Sequence, residues 1–239
     1  MSELGAARIL RGSKFVTTGA PMLIARRWRS RRSAAIAGII FAVLLLAGLA
    51  MIRIALSESS LQALETNAQR RSLIRLSLQL VPFAGIAFLW FIGVIREQLG
   101  DVEDRLFSTV FLGSGLLFLA MLFMGAVTST GLLALLAGSD PDAELFAFGR
   151  STTQTMISVY AMRMAAVFTI SVSTLGIRTA GLPRWVCFLG YLVALTLLVA
   201  AGEHRWFQLL VPAWVLLVSV VILVVRPPTS TAIPGSAVR

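Results

Sequence analysis

One arginine lies deep in an apolar stretch, and its position frames the chemistry this chain could do. Arg163 follows Thr152 by eleven residues and precedes Ile177 by fourteen. A central arginine costs about 2.5–3.5 kcal/mol on insertion scales, so such a residue faces a bundle interior or a wet cavity. At 100° per residue, Tyr160, Met156, Val167, Ile170 and Thr174 cluster around its direction. The opposite side carries Ala161, Ala165, Thr169 and Ser173, four small residues at i+4 spacing that let helices approach closely. A close-packing face on one side and an arginine on the other predict a central helix of the bundle.

The apolar segments hold no Asp or Glu to pair with Arg163. The neutral candidates are Tyr160 one turn earlier, Gln79, Thr196, and carbonyls freed near Pro82 or Pro212. Two readings stand. In the first, Arg163 is structural and bonds carbonyls and a few waters. In the second, Arg163, Tyr160 and Gln79 form a substrate site in which the guanidinium fork takes a carboxylate or phosphate.

Other candidate chemistry is thin. Asp101, Glu103 and Asp104 lie in a turn between Arg96 and Arg105, where a hard cation would find oxygens. Their spacing fits no EF-hand loop, and pairing with the basic N-terminal segment is the better expectation. The one histidine, His204, stands beside Glu203 in a short turn. There is no His-x-x-x-His, no Gly-x-Ser-x-Gly and no phosphate-cradling glycine loop. The single cysteine, Cys187, excludes an intrachain disulfide and any Cys-x-x-Cys site, and it is expected to pack inside a helix. These features predict no catalytic residue, no metal and no cofactor: the chain reads as a non-enzyme. The absent carboxylates also disfavour a proton- or sodium-coupled pump.

The elements that position Arg163 follow from composition. Of 239 residues, 57% are apolar and only 13% charged. A soluble domain carries about 25% charged residues, so the balance indicates a membrane protein. A hydrocarbon core about 30 Å thick needs around 20 apolar helical residues. Six segments qualify: Ala34–Leu56, Leu73–Ile95, Leu106–Val127, Thr152–Ile177, Trp185–Ala201 and Trp206–Val225. Apolar character continues to Ala137 beyond the third, and Thr128-Ser129-Thr130-Gly131 is the expected break before a short interfacial or re-entrant helix. Ser59-x-x-Gln62 resembles a capping box for a surface helix between the first two spans.

Orientation follows from the distribution of Lys and Arg. Of the 21 basic residues, eight precede residue 33. With the N-terminus inside, fourteen fall on the cytoplasmic side and six outside, with Arg163 within the membrane. The sequence therefore predicts an all-α bundle of six transmembrane helices with both termini cytoplasmic. Residues 1–33 form a basic cytoplasmic segment, 34–226 the membrane domain, and 227–239 a disordered Pro/Ser/Thr-rich tail. The basic segment attracts anionic lipid head groups at about 1 kcal/mol per residue. Nucleic acid is not an expected partner.

Gly181-Leu182-Pro183-Arg184-Trp185, followed by Leu189-Gly190-Tyr191, resembles a turn of uncharacterised actinobacterial six-span integral membrane protein families. Val81-Pro82-Phe83-Ala84-Gly85 through Gly93 is similar in kind. The resemblance covers about a fifth of the chain. It implies a bacterial plasma-membrane protein and brings no activity or site residue. Two functions follow as expectations. One is a non-catalytic accessory or scaffold component that meets a membrane-protein partner or its own copies. The other is a permease or channel for a small anionic or amphipathic compound recognised by Arg163.

Overall fold

The computed structural model describes residues 20–55, 68–99, 105–135, 142–179, 181–202 and 205–224. These residues form helices α1 (Ala20–Ala55), α2 (Ala68–Leu99), α3 (Arg105–Leu135), α4 (Ala143–Thr155), α5 (Met162–Arg178), α6 (Arg184–Ala200) and α7 (Leu210–Val224). A π-helical turn, Met156–Ala161, joins α4 to α5 without a break, and a 3-10 turn, Arg205–Leu209, leads into α7. In hydrocarbon every backbone N–H and C=O must be satisfied within the chain, which is why long uninterrupted helices dominate. Among the described residues, five helical stretches are long and apolar enough to cross a bilayer: Arg32–Met51, Ala68–Arg96, Phe107–Leu135, Ala143–Arg178 and Trp206–Val224. The expected fifth span is the 17-residue helix α6, about 25 Å long and short of a bilayer core.

Two expectations change. The Thr128–Gly131 stretch does not break the third span, because α3 runs through it to Leu135. Its hydroxyls bond back onto the helix: Ser129 Oγ donates to the Gly125 carbonyl at 2.7 Å and Thr130 Oγ1 to Ala126 at 2.9 Å. Hydroxyls satisfied in this way leave the ladder intact. The helix bearing Arg163 also begins earlier than Thr152. Asp142 caps it, its Oδ1 accepting from Glu144 N at 2.9 Å and Leu145 N at 3.2 Å. Thus α3 and α4 pair beyond the central core, where Ile74 and Phe146 pack with Leu132 and Leu133. The Ser59–Gln62 motif, the acidic turn, His204, residues 1–19 of the basic segment and the 227–239 tail lie outside the described residues, whereas residues 20–33 of the basic segment belong to α1.

The core is a set of phenylalanines shared among helices. Phe88 of α2 lies 5.3 Å from Phe118 of α3 and 5.1 Å from Phe168 of α5, and Phe111 stacks on Phe168 at 5.2 Å. Phe41 of α1 closes the group at 4.6 Å from Phe88. Around it α1 packs chiefly on α2 and α7, and α5 on α3 and α6. Lipid tails are as apolar as these side chains, so the helices associate through close packing. Gly38 admits Ser219 Oγ and the Phe91 ring to within contact of its backbone, and Gly190 does the same for Ser173 Oγ and Trp214 Nε1.

Arginines mark the slab. Arg32 and Arg53 stand 21 residues apart on α1, and Arg75 and Arg96 stand 21 apart on α2. Each interval is about 31 Å of helix, one hydrocarbon thickness. Gly38 lies against Phe91 and Gly48 against the Ser77 carbonyl, so the two antiparallel helices align these positions pairwise. Carried across α3 (Gly85 against Leu119 and Phe123, Leu132 against Gly149), the register brings Arg150 level with Arg75.

Leucine at Gly190 should therefore lower the thermal unfolding midpoint in detergent markedly, as overpacking costs about 1–3 kcal/mol. Leucine at Gly113, whose added Cβ meets no atom within 4 Å, should leave it near wild type. Equal effects would contradict the packing.

Candidate functional site

The short α6–α7 hairpin determines where the molecule opens. Its turn includes Gly202, which adopts φ +99°, a conformation open to glycine and strained for other residues. Gly202 abuts Val159 of the π turn, 3.2 Å from where a Cβ would stand. Among the described residues of the hairpin, Gly202 alone lines the space beside α4. The result is a recess of about 550 Å³, lined on the α4 side by Phe146, Arg150, Ser151, Gln154 and Thr155, and floored by Ser158, Val159 and Gly202.

The π turn sets the floor. Elsewhere along this helix, hydroxyls donate to the preceding turn: Thr153 Oγ1 to the Gly149 carbonyl at 2.8 Å, Thr169 to Ala165 at 2.8 Å, Ser171 to Val167 at 2.9 Å. Ser158, buried within the π turn, instead accepts a 2.6 Å bond from Gln208 Nε2 of the 3-10 turn. An amide nitrogen can only donate, so the serine proton is left with no acceptor among the described residues. Such π turns are frequent at functional sites. Arg150 is half-buried in the recess wall.

The residues singled out from sequence fall elsewhere. Ala161, Ala165, Thr169 and Ser173 are fully buried, the close-packing face expected of them. Arg163 points the other way and is exposed, as is Tyr160 at 55%. The expectation that Arg163 faces the bundle interior is thus corrected, because Met162 and Phe168 occupy the inward side. Gln79 is exposed on α2. Among the described residues none of Arg163, Tyr160 and Gln79 makes a hydrogen bond or ion pair. The suggested partner Thr196 bonds its own helix, at the Leu192 carbonyl. Cys187 is buried in α6. Arg178, at the end of α5, lies over the Phe107 ring with its guanidinium carbon 5.4 Å from the centroid. No group of three or more His, Cys, Asp and Glu side chains gathers among the described residues.

Sequence reasoning missed the recess. Its signal was the polar run Arg150-Ser151-Thr152-Thr153-Gln154-Thr155 on a helix still followed by apolar residues. A π turn has no sequence signature that would have revealed Ser158.

Fold and site together define an all-helical protein suited to a membrane. Beyond that class, the chain matches no family model, no curated protein and no solved structure.

The Ser158–Gln208 bond should be measurable as coupling. In a double-mutant cycle of Ser158→Ala and Gln208→Leu, unfolding free energies should couple by about 1 kcal/mol. Strictly additive losses would show that the bond holds nothing.

Proposed function

We propose that the protein is a non-catalytic integral component of a bacterial plasma membrane, with both termini cytoplasmic. It is an accessory or scaffold subunit whose α5 face around Tyr160 and Arg163 receives a membrane helix of another protein. The observation that carries this reading is the exposure of Arg163 on the outside of the bundle. It stands 13 residues from Arg150 and 15 from Arg178, about 20 and 22 Å of helix in either direction. A guanidinium at that depth facing lipid tails is costly, and a carboxylate on a facing helix offsets the cost. A second copy of this chain has no Asp or Glu in its apolar segments to supply one. A partner with an intramembrane Asp or Glu would.

The permease reading requires a water-filled cavity at Arg163. Arg163 instead stands exposed on the outside of the bundle, which favours the assembly reading.

Purification of the natively expressed protein in mild detergent tests the proposal. Wild type should carry a stoichiometric membrane partner. Arg163→Leu should remain folded and lose that partner by more than tenfold, because breaking a buried pair on one side costs about 3–5 kcal/mol. A homogeneous particle of this chain alone, or a partner retained equally by Arg163→Leu, would overturn the reading.

A further inference from the structure

We infer that Trp214 and Ser173 form a hydrogen-bonded latch that closes the ring of helices between α7 and the α5–α6 pair. The argument starts from polar groups left unmet. Buried hydroxyls in this bundle bond back onto their own helix: Ser77 Oγ donates to the Ile74 carbonyl at 2.7 Å, Thr169 Oγ1 to Ala165 at 2.8 Å and Ser171 Oγ to Val167 at 2.9 Å. Ser173, one turn beyond Thr169, is fully buried, and its Oγ has no partner among the described residues. The indole Nε1 of Trp214, on α7, is buried and unpartnered as well. An unmet polar group in an apolar interior is costly, and native structures keep few of them.

The two groups meet at one place. Gly190 of α6 lets both approach its backbone: Trp214 Nε1 lies 2.9 Å from the point a Cβ would occupy, and Ser173 Oγ lies closer still. Their chemistry is complementary. An indole N–H can only donate, whereas a serine oxygen accepts while its own proton goes elsewhere. Donor and acceptor are no more than a side chain's width apart, and a change of serine rotamer moves its oxygen without displacing either helix. The Ser173 proton then goes to the Thr169 carbonyl one turn back, the pattern its neighbours follow.

Location makes this tie a latch. Helix α7 packs extensively on α1 and only lightly on α5 and α6, so the ring α1–α2–α3–α5–α6–α7 is loosest at that junction. In hydrocarbon, where apolar burial drives little association, a hydrogen bond between helices contributes directly to holding them together. Ser173 also belongs to the packed stripe of α5, on the side away from the exposed Arg163.

Hydrogen–deuterium exchange of the full chain in lipid nanodiscs, read on the backbone amides of α6, tests the latch. Ser173→Ala removes one oxygen and leaves the fold intact. It should speed α6 exchange about fivefold, the worth of one neutral hydrogen bond. Trp214→Phe should speed it at least as much, and the double variant should exchange no faster than Trp214→Phe alone. Ser171→Ala, whose hydroxyl bonds only its own helix, should exchange at the wild-type rate. If the two groups make no bond, alanine at position 173 relieves an unmet polar group, and α6 exchange slows or stays unchanged. That result, or additive effects of the two variants, would overturn the proposal.

Discussion

Phe168 is the joint on which the arrangement depends. It touches Phe88 of α2 and Phe111 of α3, and through Phe88 it reaches Phe118 and Phe41. Helices in lipid gain little from apolar burial alone, so a set of rings meshed across glycine-lined gaps is what fixes their rotation. With Phe168 locked inward, Ala161, Ala165, Thr169 and Ser173 follow onto the same packed side. The rest is geometry: Tyr160 and Arg163 are turned out of the bundle. Exposure of the arginine follows from the packing of its neighbours.

A second constraint is length. The 17 residues of α6 cannot match the reach of α3, which has 31, or of the 36-residue stretch from α4 to α5. The chain turns at Gly202, the one described hairpin residue that lines the recess beside α4. The π turn at Met156–Ala161 lies at this step, where it frees Ser158 from the α-helical bonding pattern and lets Gln208 reach it. The two features are independent. The Arg163 face comes from rotation of a helix, and the recess comes from the shortfall of a hairpin.

Much of the fold was legible in residue order. Apolar length located the helices, and the small-residue stripe of α5 correctly named its buried side. What misled was local. Thr128-Ser129-Thr130-Gly131 reads as a break because such residues favour turns, but their hydroxyls find carbonyls one turn back within the helix. Arg163 was legible as the unusual residue, whereas its outward direction was not. An angular projection separates two faces of a helix and says nothing about which one neighbours will cover. The recess depends on the mismatch between α6 and α4, a property of pairs of elements that no single segment displays.

The central claim is that another protein covers the face around Tyr160 and Arg163 in the native membrane. The most direct measurement is site-specific photocrosslinking in intact cells, with a benzophenone amino acid replacing Tyr160. A discrete adduct of larger mass, containing a partner helix with an intramembrane Asp or Glu, is the result this account predicts. Adducts to lipid alone, with no protein captured at this position, would contradict it.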